Sequence, residues 1–225
     1  AFSLSGLLDL QSPEVVNVLP TDLGSPFVRV WGPEKGPYAT SHNPTKMFAN
    51  DVGSRVYISA GDGKPSLRSP FNFSAWTSGA VAEMSVRTQS LRWAARARKA
   101  GVDVTYSGHT GAHDWPYWQR EVPRAISWGL FEAPQYTSDA AATSWSYKTM
   151  APHGNAWGLG FTFAKAPTGI VTISRSGDAV SIAGTGTITV NPGAADADAS
   201  GAGTKPQCSF TATLPVTKTL PAGCL

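Results

Sequence analysis

Two kinds of hydrophobic patterning divide the chain. Up to about Tyr136, apolar runs of strand length alternate with longer stretches of helical period, the order of an α/β domain. From about Thr137 onward the helical period disappears, and apolar residues alternate with Thr, Ser, Gly and Ala. The pattern predicts an α/β domain over 1–136 and a small all-β, sandwich-like region over 137–225.

Within the first region Ala1–Leu7 predicts a buried strand. Ser12-Pro13-Glu14 marks a helix start, with serine as N-cap and proline in the first helical position. Asn43-Pro44 opens a second short helix through Met47 and Phe48. Arg55–Ala60 (RVYISA) is a β-prone run that ends in the turn Gly61-Asp62-Gly63. Ser78–Ala100 is the strongest helical segment, with Val81, Met84, Leu91 and Ala95 on one face and Gly101 as its stop. Val102–Ser107 (VDVTYS) is the next strand, and the loop Gly108–Asp114 leads to a helix starting near Trp115. Pro116 lies in its first turn, and Pro123 predicts a kink or a break. In the second region, strands are predicted at Gly158–Phe163, Ile170–Arg175, Ala179–Ala183, Gly186–Val190 and Cys208–Leu214. Ser176-Gly177-Asp178 is a hairpin turn, and the low-complexity stretch 192–204 predicts a mobile loop.

Composition narrows the function classes. A net charge of +3 on 225 residues gives no case for nucleic acid. The cluster Arg92, Arg96, Arg98 and Lys99 falls at helical spacing, which predicts a solvated face. No apolar stretch approaches the ~20 residues that cross a bilayer. The two cysteines, Cys208 and Cys224, fit neither a redox pair nor a zinc knuckle. A disulfide closing this short loop contributes roughly 3 kcal/mol and predicts an extracytoplasmic location. The opening AFSLSGLL has the apolar character of a domain interior, so further sequence is expected upstream, covalent or on another chain.

The order strand, helix, strand, histidine carries the chemistry. In α/β-hydrolases the catalytic histidine sits in the loop after the last strand. His113 follows VDVTYS and GHTGA in such a loop. There it could accept a proton from a serine hydroxyl and return it to a leaving alcohol.

GAHDWPYWQREV resembles the segment around the catalytic histidine of the secreted mycolyltransferases, the antigen 85 group of mycobacteria and its corynebacterial relatives. Three further stretches agree in the same order: SLSGLLD, VWGP at Val30–Pro33, and RVYISAGDG. The resemblance covers roughly residues 1–131, and it implies the C-terminal part of an α/β-hydrolase fold. It also implies a Ser-Glu-His triad. The family's acid is a glutamate followed by two residues and Val-Arg, and Glu83-Met84-Ser85-Val86-Arg87 matches that spacing. Asp62 is the rival acid, because most other α/β-hydrolases place theirs after that strand. Ala60 aligns with a cysteine of the mycobacterial enzymes.

No G-x-S-x-G occurs in the chain. Ser5 lacks the preceding glycine and aligns downstream of the family's serine, so the nucleophile and its oxyanion donor are expected in the missing N-terminal segment. By this reading the chain alone is inactive. Trp115 is the candidate sugar contact, while Tyr117 and Trp118 are assigned to packing. Trp145 and Trp157 could form a carbohydrate platform, although core packing is the preferred assignment. The resemblance implies mycolyl transfer from trehalose esters to trehalose or cell-wall arabinan, with no cofactor and no metal. The alternatives are an esterase that hydrolyses envelope glycolipids and a non-catalytic glycan- or surface-binding envelope protein.

Overall fold

The computed structural model describes residues 1–17, 24–64, 73–132, 143–193 and 206–224. The chain divides into two units, Ala1–Glu34 with His42–Thr137, and Lys35–Ser41 with Ser138–Leu225.

The first unit is mixed α/β. Its three strands, β1 (Phe2–Leu4), β2 (Arg55–Gly61) and β3 (Asp103–His109), form a parallel sheet in that order. Phe2 pairs with Tyr57 and Arg55 with Asp103. The helical segments before β2 are α1 (13–17), α2 (Phe27–Trp31), α3 (Pro37–Ser41, grouped with the second unit) and α4 (Pro44–Met47). Asn43 caps α4, its side chain accepting from Thr45 N–H, as residues with short polar side chains do at helix starts. The two long helices are α5 (Phe73–Lys99) and α6 (Trp115–Trp128).

Alternation along β2 sorts its side chains to two faces. Val56 and Ile58, with Val104 of β3, form one core with Trp93, Ala94 and Ala97 of α5. On the other face α6 supplies polar partners. Trp128 Nε1 donates to Thr105 Oγ1 at 3.0 Å, and Glu121 accepts from Tyr57, Ser59 and Ser107.

Three expectations are corrected. Ala1–Leu7 is not a buried strand: β1 spans three residues and Phe2 is 43% exposed. Among the described residues β1 pairs only with β2, so its other edge has no strand to bury it. The face of α5 that carries Val81, Met84, Leu91 and Ala95 points outward rather than into the core. The buried face instead runs through Ala80, Glu83, Val86, Gln89, Ser90, Trp93, Ala94 and Ala97. Its polar members are tolerated because Glu83 and Gln89 accept hydrogen bonds, Gln89 Oε1 from the N–H groups of Leu8 and Asp9. Finally, α6 runs through Pro123 without a break. Pro123 and Gln119 are both exposed, so water can satisfy the carbonyl that the proline leaves unbonded.

The second unit holds two four-stranded antiparallel sheets. Its strands are β4 (Ser144–Thr149), β5 (His153–Ala156), β6 (Leu159–Phe163), β7 (Val171–Ser176), β8 (Ala179–Ala183), β9 (Thr187–Pro192), β10 (Phe210–Thr213) and β11 (Val216–Thr219). The sheet orders are β10-β9-β6-β5 and β11-β8-β7-β4. Residues of both sheets share one core, including Phe161, Ile188 and Val190 from the first and Ile173, Val180 and Ile182 from the second. Cys208 and Cys224, joined by a disulfide, are part of this core. Trp145 is buried in this core and Trp157 packs against it, their rings 5.2 Å apart. Most of the stretch 192–204 lies outside the described residues.

Candidate active site

Each strand of the parallel sheet delivers one group to the same carboxylate. Ser5, just after β1, donates its hydroxyl to Glu83 Oε1 at 2.7 Å. Gly61, the last residue of β2, donates its N–H to the same oxygen. His113, in the loop after β3, meets Glu83 Oε2 through Nδ1 at 2.9 Å. Glu83 projects from α5 and is fully buried.

This convergence requires close backbone approach. A Cβ on Gly61 would lie 2.3 Å from the Gly111 carbonyl oxygen, so only glycine lets the end of β2 meet the histidine loop. Gly79 plays a related part on α5: His113 N–H donates to its carbonyl at 3.1 Å. Ser5 adopts φ +49°, a region uncommon for residues other than glycine.

Burial alone would push the Glu83 carboxyl up. The hydrogen bonds from His113, Gly61 and Ser5 outweigh it and hold the group below its ordinary value. Glu83 is therefore an anion at neutral pH. An anion at Nδ1 keeps a proton on that nitrogen of the neutral imidazole, which leaves Nε2 free to accept one. The His113 side chain is 34% exposed, so the ring can be reached from outside. Trp118 steadies it with an edge-on contact at 4.9 Å between ring centroids.

Asp62 is differently engaged. Its Oδ1 accepts from the N–H groups of Lys64 at 3.0 Å and Gly111 at 3.2 Å. Burial would raise its carboxyl, but these bonds and the charges of Lys64 and Arg87 hold it low. Asp62 thus fastens the turn after β2 to the loop that carries His113, while the contact to the imidazole belongs to Glu83. Ala60 is fully buried at the end of β2.

Around the histidine, Trp115 is 67% exposed and Tyr117 is buried. Trp115 and Trp118 meet edge to face at 5.2 Å. Among the described residues no three His, Cys, Asp or Glu side chains converge in a way that could hold a metal ion.

Sequence reasoning did not single out Glu121. It is fully buried on α6, and Oε2 accepts from Tyr57 Oη at 3.2 Å, Ser59 Oγ at 3.1 Å and Ser107 Oγ at 2.9 Å. Arg124 pairs with its other oxygen. Burial would push this carboxyl up, yet the Ser107 and Ser59 hydrogen bonds and the nearby His109 and Arg124 hold it low. The signal was present in β2 and β3, where hydroxyls at 57, 59 and 107 fall on one face.

The chain is 35% identical over 132 residues to the diacylglycerol acyltransferase/mycolyltransferase Ag85A of Mycobacterium gordonae, a match covering 54% of this chain and 37% of that protein. The chain thus spans well under half of the curated relative that it matches. A structural match to MPT51 of Mycobacterium tuberculosis has a TM-score of 0.39 at 16% identity, covering 56% of this chain and 48% of that one. No protein-family model matches the chain. The sequence match supports an antigen 85-like relationship over the matched residues.

Proposed function

We propose that this relative of the antigen 85 mycolyltransferases is an acyl-transfer enzyme in which Glu83 and His113 form the base half of a Ser-Glu-His triad. Residues 1–136 are then the C-terminal part of an α/β-hydrolase domain, and residues 137–225 a β-rich domain appended to it. The observation that carries this reading is the 2.9 Å contact between His113 Nδ1 and a fully buried Glu83 that also holds two other donors. Such a carboxylate fixes the imidazole tautomer and stabilises the imidazolium that forms during turnover.

The nucleophilic serine lies upstream of these residues in this account. Its hydroxyl gives its proton to His113 Nε2 as its oxygen attacks the ester carbonyl. His113 then protonates the departing sugar oxygen, which leaves as the free hydroxyl and gives an acyl-enzyme. A second sugar hydroxyl enters, loses its proton to the same Nε2 and attacks the acyl carbon; the serine oxygen departs and takes that proton back from His113. The donor is a trehalose mycolate, and the acceptor is trehalose or cell-wall arabinan, with the exposed Trp115 as a sugar-stacking surface. This activity is extracytoplasmic, in keeping with the Cys208–Cys224 disulfide and with the absence, among the described residues, of any helix long and apolar enough to cross a membrane. Residues 1–225 alone are inactive by this reading.

The test is incubation of the protein, with its upstream segment, with trehalose monomycolate. Dimycolate product supports transfer. Free mycolic acid alone makes the protein an esterase, and no turnover at all returns the chain to a non-catalytic envelope role.

A further inference from the structure

Next to the histidine loop, but lined by neither Glu83 nor His113, is an open cavity of about 530 Å³. Arg87 of α5 and Arg120 and Arg124 of α6 line it, together with His109 and Thr110 from the end of β3 and Asp62. We infer that this cavity binds a phosphoryl oxyanion, a phosphate group either free or carried as an ester.

Charge is the first argument. Arg120 and Arg124 stand one helical turn apart, a spacing at which like charges repel. Two carboxylates answer part of this cluster: Arg124 pairs with Glu121, and Arg87 acts on Asp62. Three guanidiniums against two carboxylates leave one positive charge in the cavity. An oxyanion balances that excess.

Geometry is the second. Arg120 is held in place, with Nη2 donating to the Thr110 carbonyl at 3.0 Å and lying 3.3 Å from His109 Nδ1. Its guanidinium carbon sits 5.5 Å from the Tyr117 ring centroid. Such pre-orientation reduces the ordering cost of gripping an anion. The donors come from α5, α6 and the end of β3. That spread suits a tetrahedral group, whose oxygens point in several directions, better than a planar carboxylate gripped by one guanidinium fork. The polar lining also excludes this cavity as a seat for an apolar acyl chain. The inference therefore does not rest on the acyl-transfer reading.

The test is a calorimetric titration of the protein with inorganic phosphate at constant ionic strength, paralleled by acetate and by glucose 6-phosphate. Saturable phosphate binding is expected, with acetate much weaker and with amide NMR shifts at Gly108 and Thr110. Arg87→Ala and Arg120→Ala should each weaken binding about ten-fold or more. Arg124 is left intact because it satisfies Glu121, and thermal unfolding without phosphate verifies that each variant folds. If a truncation fails to fold, Arg87→Gln or Arg120→Gln replaces it. A tighter glucose 6-phosphate complex assigns the site to phosphorylated sugars, and equal affinity assigns it to free phosphate. Absence of saturable binding, equal binding of acetate, or affinity unchanged in the folded arginine variants would overturn the inference.

Discussion

Ser5 Oγ and Glu83 Oε1 are 2.7 Å apart, and the hydroxyl donates to the oxygen that His113 does not use. The Glu83 carboxylate is therefore gripped on both sides. Ser5→Ala is expected to destabilise the protein by about 1.5–3 kcal/mol, the range for a hydrogen bond to a charged group. It should also slow turnover without abolishing it, because Gly61 and His113 still hold the carboxylate. Urea unfolding and a transfer assay on one preparation check both effects.

Glu121 gives a sharper stability prediction. Glu121→Ala strands three hydroxyls, and is expected to cost about 3–5 kcal/mol. Glu121→Gln keeps acceptor capacity and should cost less. Equal losses for the two variants would mean that the side chain acts only through its volume.

Asp51 predicts a pH effect. Burial pushes its carboxyl up from 3.8 to about 6. A group that is more readily protonated when folded adds stability at low pH, and that contribution disappears as pH rises from about 4 through 6. Asp51→Asn removes this dependence. The variant should match the parent near pH 4 and exceed it by about 2 kcal/mol at pH 7.5, allowing for partial exposure. Denaturation midpoints at the two pH values decide the matter.

Trp115, exposed beside the histidine, should act on substrate and not on the fold. Trp115→Ala is expected to leave thermal stability within about 0.5 kcal/mol while raising KM for the sugar acceptor. An unchanged KM would remove Trp115 from the acceptor site.

Strand and helix periods made the alternation of β2, α5, β3 and α6 legible, because RVYISA and VDVTYS are β-prone and Gly101 stops α5. The inward face of α5 was not legible. It carries Glu83 and Gln89, residues that belong in a core only once their hydrogen-bond partners are known. β5 was missed for a similar reason: its two-residue turn to β6 is Trp157-Gly158, with φ +47° and +81°, where sequence reasoning expects Asn-Gly. His113 was placed by its position after VDVTYS, but Glu83 was found only through a family resemblance, since thirty residues separate the two. Ser5 was read as a failed nucleophile, and its grip on Glu83 needed three dimensions. The arginines of the oxyanion cavity come from two helices, so no sequence window contains all three.

The central claim is that Glu83, and not Asp62, is the acid behind His113. It is tested most directly by comparing transfer rates of Glu83→Gln and Asp62→Asn with the parent protein on trehalose monomycolate. The account predicts that Glu83→Gln loses about 10³–10⁴-fold in kcat, as expected when the imidazole loses its fixed tautomer. Asp62→Asn, whose amide oxygen can still accept from Lys64 and Gly111, should stay within about ten-fold of the parent. A severe loss in Asp62→Asn with a mild one in Glu83→Gln would contradict it.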